Sequence, residues 1–233
     1  MTEAARDSKS TVEKKNKRSI CNVDDFIVDI LGDLRRNRLQ LPTLPQLAIN
    51  INRALVGNKA SSQDIAKMII ADPAISARII QVSNSALIRG DKKIDNVQTA
   101  VIRMGTGTVQ SIVTSFLVKQ LFITKNKILK QHLAQIWQHS THVAAISHIL
   151  ASTCTDLNPE EAMMAGLLHD IGKLPVIGKA TKIPNLEKNI SILDVVMKKL
   201  HTKLGAVIMK TWEFPAYLVS AISEHENIKR DSS

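Results

Sequence analysis

The chain has 233 residues, of which 44% are hydrophobic and only 3% aromatic, and it carries a formal net charge of +10. This composition excludes a chain that is disordered throughout, and the length allows one large or two modest domains with a substantial core. Cys21 and Cys154 are too few for a disulfide framework or a CxxC metal site, which favours reduced thiols. No apolar run approaches the roughly 20 residues of a membrane helix, so we expect a cytoplasmic protein without a membrane partner.

The beginning of the chain differs in composition from the rest. Residues 1–22 are polar, charged and poor in apolar side chains, which predicts a disordered basic leader. Ordered structure is expected from about Val23, because Phe26, Ile27 and Ile30 recur at helical spacing.

Start and stop signals predict a series of helices in the first half. Pro45 suits the first turn of a helix. Ser61 with Asp64 three residues later forms a capping pattern, and Asp72 before Pro73 is a further helix start. The helices predicted from these signals cover residues 45–55, 61–70, 72–84, 94–104 and 109–121.

The second half follows a junction that we place at residues 124–130. Its best helix start is Asn158–Pro159–Glu160–Glu161, with a cap, a proline and acids in the first turn. No stretch shows sustained β alternation. The predicted helices cover residues 133–151, 158–169, 192–210 and 215–225. We therefore predict an all-α helical bundle, in which an N-terminal subdomain of residues 23–125 packs on a C-terminal subdomain of residues 126–233.

The middle of the chain is unusually basic. No acidic residue occurs between Asn96 and Thr155. Such a tract can attract nucleic acid, a nucleotide or an acidic partner, although a solvated basic face is the simpler interpretation. Phe122 is the only aromatic residue between Lys119 and Lys130, too few for stacking on exposed bases, so we expect only weak nucleic-acid binding without sequence specificity. The basic residues of this tract are Arg103, Lys119, Lys125, Lys127 and Lys130.

The sharpest motif is the run from His169 to Lys173, with sequence HDIGK, at the end of a predicted helix. An imidazole and a carboxylate side by side can bind the same divalent ion. Such an ion would lower the pKa of a bound water toward neutrality. Lys173 would then be placed to contact a substrate phosphate.

Other histidines lie on neighbouring predicted helices. A metal site in a helical bundle needs inward-facing ligands from several helices, and His139, His201 and His225 are candidates for that role. The alternative is that these three are ordinary surface histidines or hydrogen-bonded core histidines. We expect the remaining histidines, His132, His142 and His148, to be structural or exposed.

Two groups of motifs together resemble a known family. The first, similar to the helical HD superfamily, consists of His139-Ser140-Thr141-His142, the HDIGK run and Glu224-His225. The second narrows the resemblance to the HDOD family of bacterial regulatory domains. It consists of Leu41-Pro42-x-Leu44-Pro45, Asp72-Pro73-Ala74-Ile75-Ser76-Ala77-Arg78 and Asn84-Ser85-Ala86. The resemblance covers about residues 38–228.

The resemblance implies a metal site with one ligand unmatched. In HD enzymes a first histidine, the HD pair and a late aspartate hold the ion, and His139, His169 and Asp170 match the first three. We expect these three to converge in space. The late aspartate has no evident match, since Asp231 lies in a polar end. His201 and His225 match two positions of a fuller two-metal set, but the set is broken, and the GYP segment of the HD-GYP relatives is absent.

HDOD domains are mostly non-catalytic signalling modules. The resemblance therefore implies a cytoplasmic regulatory module that binds a signalling protein or a small anionic, nucleotide-type ligand, with no certain cofactor. The alternative is a metal-dependent phosphohydrolase acting on a nucleotide or cyclic dinucleotide. In that case a divalent metal would be held by His139, His169 and Asp170, with His201 and His225 as weaker candidates and Lys173 as the phosphate contact.

Overall fold

The protein is described here by a computed structural model, which covers residues 22–55, 60–86, 88, 90 and 92–227. The predicted leader, apart from Asn22, lies outside the described residues. Helices make up all the regular structure within them, which confirms the all-α prediction. They are α1 (Val23–Arg35), α2 (Gln46–Leu55), α3 (Ser62–Ile70), α4 (Pro73–Ser83), α5 (Val97–Met104), α6 (Thr106–Leu121), α7 (Lys127–Cys154), α8 (Pro159–Leu168), α9 (Lys173–Ala180), a short 3-10 helix (Leu186–Lys188), α10 (Ile190–Thr211) and α11 (Ala216–Glu224).

The predicted helix starts are confirmed by their caps. Ser61 and Asp64 form a reciprocal capping box at the start of α3. Asp72 accepts hydrogen bonds from the backbone of the first turn of α4, directly before Pro73. Asn158 does the same for α8, where Pro159 occupies the first helical position.

Several boundaries and one α-helix differ from the prediction; helix α5, for example, begins at Val97 instead of residue 94. Helix α7 begins at Lys127 instead of residue 133, because Asn126 accepts the backbone N–H groups of Ile128 and Leu129 and so caps the helix earlier. Helix α6 likewise begins at Thr106 instead of residue 109. Helix α9 was not predicted. Its Pro175 lies in the first turn, where no intrahelical donor is needed, so this proline is compatible with the helix.

Helices α2 to α6 pack on one another and form the first half. Their core is aliphatic, with residues such as Ile51, Ile65 and Ile79 at most 1% exposed. Asn84 lies at the C-terminal end of α4. Its side chain donates to the carbonyls of Ile80 and Ile94 and accepts the backbone N–H of Ile94. Asn84 therefore ties the end of α4 to the segment before α5.

Helix α1 belongs to the N-terminal half by sequence but packs against α10 in the C-terminal half. Phe26 and Ile30 are fully buried. Asp29 and Asp33 of this helix form ion pairs with Lys179 of α9. Since α1 contributes its apolar face to the second half, the predicted grouping of residues 23–125 does not describe how this helix packs.

Polar contacts join the two halves beside a buried tryptophan. The Trp212 indole is 2% exposed and donates to the carbonyl of Pro42 over 3.0 Å. Arg53 of α2 donates two hydrogen bonds of 2.6 Å to the Glu213 carboxylate, and Asn52 donates to the Glu213 carbonyl. Together with the packing of α6 on α8, these contacts fix the halves against each other.

Within the described residues, no single helix is both long and apolar enough to cross a membrane. Helices α5 and α6 pass that test only as a pair, and the chain bends by 113° between them.

Candidate metal site

Helices α7 and α8 approach each other closely at Gly166. A Cβ atom on this residue would lie 2.9 Å from Ala144 Cα and 2.9 Å from Ser147 Oγ, and real Cβ atoms do not come so close. This contact lets His139, on α7, reach His169 at the end of α8. The Nε2 atoms of the two rings are 3.1 Å apart.

The first group of possible metal ligands consists of His139, His169 and Asp170. The Oδ2 atom of Asp170 lies 3.3 Å from His169 Nε2 and 3.7 Å from His139 Nε2. The three ligand atoms lie within 4.8 Å of one another. The expected convergence of His139, His169 and Asp170 is therefore present in the structure.

His201 and His225 form a second group with the same aspartate. Their Nε2 atoms are 3.1 Å apart, and His201 Nε2 lies 3.7 Å from Asp170 Oδ1. The two carboxylate oxygens of Asp170 thus contact different histidine groups. The sequence marked His201 and His225 only as weaker candidates, but the structure places them beside Asp170.

Backbone carbonyls orient three of the four rings. The Nδ1 atoms of His169, His201 and His225 lie 2.7, 2.9 and 2.9 Å from the carbonyls of Gly166, Met197 and Ile222. A carbonyl only accepts, so each Nδ1 is the protonated donor and each neutral ring presents the Nε2 lone pair to the cluster. This is the tautomer in which Nε2 can bind a metal ion.

The donor set and spacing fit a divalent cation. Two neutral imidazoles with lone pairs facing each other across 3.1 Å repel unless a cation or a proton lies between them. Ligand nitrogens at about 2.0–2.1 Å from one ion, roughly at right angles, are about 3 Å apart. Histidine with carboxylate suits borderline divalent ions. The residues present therefore fit a metal site around Asp170.

The charges in the cluster are strongly coupled. Burial acts to raise the pKa of Asp170, but its hydrogen bond with His169 and the nearby Lys173 ammonium hold that pKa well below its ordinary value. Burial acts to lower the pKa of His169, and the Asp170 carboxylate outweighs it and raises the pKa. Burial lowers the pKa of His139 and His225, and the neighbouring His169 adds to the effect. Asp170 is thus ionised and available as a ligand.

Lys173 lies at the first turn of α9, and its ammonium is 2.6 Å from Asp170 Oδ2. It lines an open cleft of about 510 Å³ together with His139, His169 and His225. The side chain of His139 is 55% exposed, so the cluster is reachable from solvent. A phosphate in this cleft would meet both the cluster and Lys173.

The remaining histidines and the lysines of the basic tract belong to neither ligand group. His142 is exposed, and His148 is partly buried. Asp231, the only aspartate near the chain end, lies outside the described residues. The four lysines of the basic tract, Lys119, Lys125, Lys127 and Lys130, are all exposed on α6, α7 and the segment between them.

Sequence reasoning missed a second cleft. His132, expected to be structural or exposed, lies 3.3 Å from Asp194. Both residues line a cleft of about 330 Å³ that also includes His201 and Lys173. No local motif marks this pair, because the two side chains come from different helices far apart in sequence.

The family assignment rests on most of the chain. The model of the HDOD domain matches residues 41–228. The chain belongs to the HDOD family. The motifs of both halves thus come from one HDOD domain, and this confirms the resemblance seen in the sequence.

Three relatives place this HDOD domain among known proteins. A crystal structure from Shewanella amazonensis, provisionally named a metal-dependent phosphohydrolase, is 30% identical, with a TM-score of 0.77 over 92% of this chain and 79% of that one. An uncharacterised Treponema pallidum protein is 25% identical over 81% of this chain and 38% of its own length. Ribonuclease Y of Dehalococcoides mccartyi is 25% identical over 73% of this chain and 28% of its own length. The HDOD chain thus spans well under half of the two curated relatives.

Proposed function

We propose that this HDOD domain binds two divalent metal ions at the histidine cluster and hydrolyses a phosphoester of a nucleotide-type anion. The observation that carries the proposal is the position of Asp170, whose two carboxylate oxygens lie beside two separate histidine pairs. One ion would be held by His139, His169 and Asp170. The other would be held by Asp170, His201 and His225.

The two ligand groups would leave coordination positions on each ion free for substrate. Each group offers three protein ligands, and catalytic metal sites keep coordination positions open in the same way. When bound, such ions polarise a phosphoryl oxygen and lower the pKa of water. The sequence favoured a non-catalytic module because HDOD domains are mostly non-catalytic and because the late aspartate has no match. No further aspartate joins the two groups among the described residues, but the assembly of five ligands around Asp170 supports the hydrolase alternative.

The remaining contributions come from the protein's own side chains. The backbone carbonyls beside Nδ1 of His169, His201 and His225 hold their rings in place. Lys173 offsets the Asp170 charge and lines the cleft, so it would contact a phosphate. The provisional name of the Shewanella relative, a metal-dependent phosphohydrolase, supports the same chemistry.

The test is the metal content of the purified protein, together with turnover of a generic phosphodiester such as bis(p-nitrophenyl) phosphate. We expect about two ions per chain, and turnover of order 1 per second or more on a good substrate. His169→Ala should abolish turnover, whereas His148→Ala, a histidine on α7 that belongs to neither ligand group and lines neither cleft, should leave it unchanged. Absence of metal, or turnover that survives His169→Ala, contradicts the proposal.

A regulatory module remains the second candidate, and one observation favours it. Helices α2 to α6 contribute no ligand atom to the two groups found among the described residues, so much of the chain serves another purpose. Such a module would bind metal and phosphate without turnover and present a surface to a signalling protein. Two bound ions with no hydrolysis across a phosphoester panel would favour this candidate over the enzyme.

A further inference from the structure

The cleft that contains His132 and Asp194 opens beside the metal cluster. It shares Lys173 and Glu226 with the larger cleft, and His201 of the cluster also lines it. A ligand whose phosphate lies at the cluster can therefore extend past Lys173 into this second space. Its volume of about 330 Å³ lies within the usual size range of small-molecule sites.

One buried polar atom of this cleft, His132 Nε2, has no hydrogen-bond partner among the described residues. It lies 3.3 Å from Asp194 Oδ1, but the two atoms are not aligned for a hydrogen bond. A buried polar atom without a partner is costly. A small rotation of Asp194 would pair one oxygen with His132 and leave the second oxygen for a ligand.

The charges of the cleft select the chemistry of that ligand. The cleft is lined by two lysines, Lys173 and Lys198, and by two carboxylates, Asp194 and Glu226. Their formal charges therefore balance. Because the two lysines and the two carboxylates offset each other, the cleft has no net charge that would favour a cation or a second phosphate over an uncharged group. What fits is an uncharged group that carries hydrogen-bond donors.

The floor of the cleft is apolar. Ile136 is 7% exposed and Met197 is 3% exposed, and both line it. A flat ring can pack against these side chains while its edge donates N–H groups to Asp194.

We infer that this cleft binds the nucleobase of a nucleotide whose phosphate lies at the metal cluster, with Asp194 as the residue that recognises the base. This inference rests on the proposed function, because it assigns a substrate class to the same site. Asp194 is a specificity residue, since it lies outside both metal-ligand groups.

The first experiment measures binding of unphosphorylated nucleosides to the metal-free protein by saturation-transfer NMR. We expect at least one nucleoside to bind, and Asp194→Ala to weaken its binding about tenfold or more, because a charge-assisted hydrogen bond is lost. Asp156→Ala, an exposed aspartate outside both clefts, should have no effect. Asp194 is 56% exposed, so its replacement should not disturb folding.

The second experiment compares a nucleoside 5′-monophosphate with ribose 5-phosphate on the metal-loaded protein by calorimetry. The nucleotide should bind about tenfold more tightly, and Asp194→Ala should remove that advantage without changing metal content or ribose 5-phosphate affinity. If metal and ribose 5-phosphate bind but the base adds nothing, this inference is wrong and the metal site of the proposed function stands. If nucleosides bind through Asp194 but no metal does, the proposed function is wrong and the nucleobase site stands.

Discussion

Gly172 and His201 are in contact through their backbones: a Cβ atom on Gly172 would lie 1.9 Å from the His201 carbonyl oxygen and 2.5 Å from the Gly205 amide nitrogen. The glycine of the HDIGK run is thus required for the turn after α8 to lie against α10. This contact brings Asp170 next to His201. The metal cluster therefore depends on a residue that binds nothing itself.

Gly172→Ala should disrupt both stability and the cluster. The added methyl group meets backbone atoms, which cannot move aside as a flexible side chain can, so we expect a loss of about 3 kcal/mol or more in the free energy of unfolding. Metal content should fall in parallel. Thermal unfolding and metal analysis measure the two effects.

Gly178→Ala is the matched control for that change. A Cβ on Gly178, in the interior of α9, meets nothing within 4 Å. Alanine there should be neutral or stabilise by about 0.5–1 kcal/mol, because glycine weakens helix interiors. Equal effects of the two alanines would show that the Gly172 contact is not required.

Asp170 should be required for binding of both metal ions, whereas His139 and His225 should each be required for only one of them. His139→Ala should remove one ion per chain, and His225→Ala the other, because each ring belongs to one group. Asp170→Asn should remove both ions, since the shared charged ligand is lost and Lys173 is left without its ion pair. Metal stoichiometry at equal total metal concentration distinguishes these outcomes. Loss of one ion only on Asp170→Asn would contradict the shared-ligand arrangement.

Tyr217 provides a pH-dependent probe of the contact between α8 and α11. Burial and the Glu161 carboxylate beside the hydroxyl raise the pKa of this tyrosine to about 12 from 10.0. The folded state therefore favours the neutral phenol, and the resulting stabilisation is present below pH 10 and is lost as the pH rises through about 12.

The chain has one tyrosine, so its tyrosinate absorbance is unambiguous. We expect a midpoint near 12 in the folded protein and near 10 in denaturant. Glu161→Gln should lower the folded midpoint, because the adjacent negative charge is removed. A folded midpoint already at the ordinary value would rule out the contact with Glu161.

The basic tract should bind nucleic acid weakly and without sequence preference. Replacement of Lys125, Lys127 and Lys130 by glutamine should reduce duplex binding and lower its salt dependence, because fewer counterions are released. The same replacement at Lys67, Lys199 and Lys203, outside the tract, is the control. Fluorescence anisotropy across a salt series measures both. Sub-micromolar, sequence-selective binding at physiological salt would instead identify this tract as a specific nucleic-acid site.

Much of the secondary structure could be predicted from local residues. The helix caps at Ser61, Asp72 and Asn158 depend on hydrogen bonds to residues no more than three positions away. Their positions can therefore be predicted from the local sequence. The start of α7 was placed too late because the capping role of Asn126 was not recognised. Helix α9 was missed because Pro175 and Gly178 resemble helix breakers when their position in the helix is unknown.

The sequence by itself determined the all-α class, the HDOD family and the pairing of His169 with Asp170, because these rest on neighbouring residues and ordered motifs. Only the tertiary structure decided that His201 and His225 join the cluster, that α1 packs on the second half, and that His132 meets Asp194. Each of these contacts joins helices that are distant along the chain. Their spacing is set by close backbone approaches such as those at Gly166 and Gly172, which periodicity and capping signals do not encode.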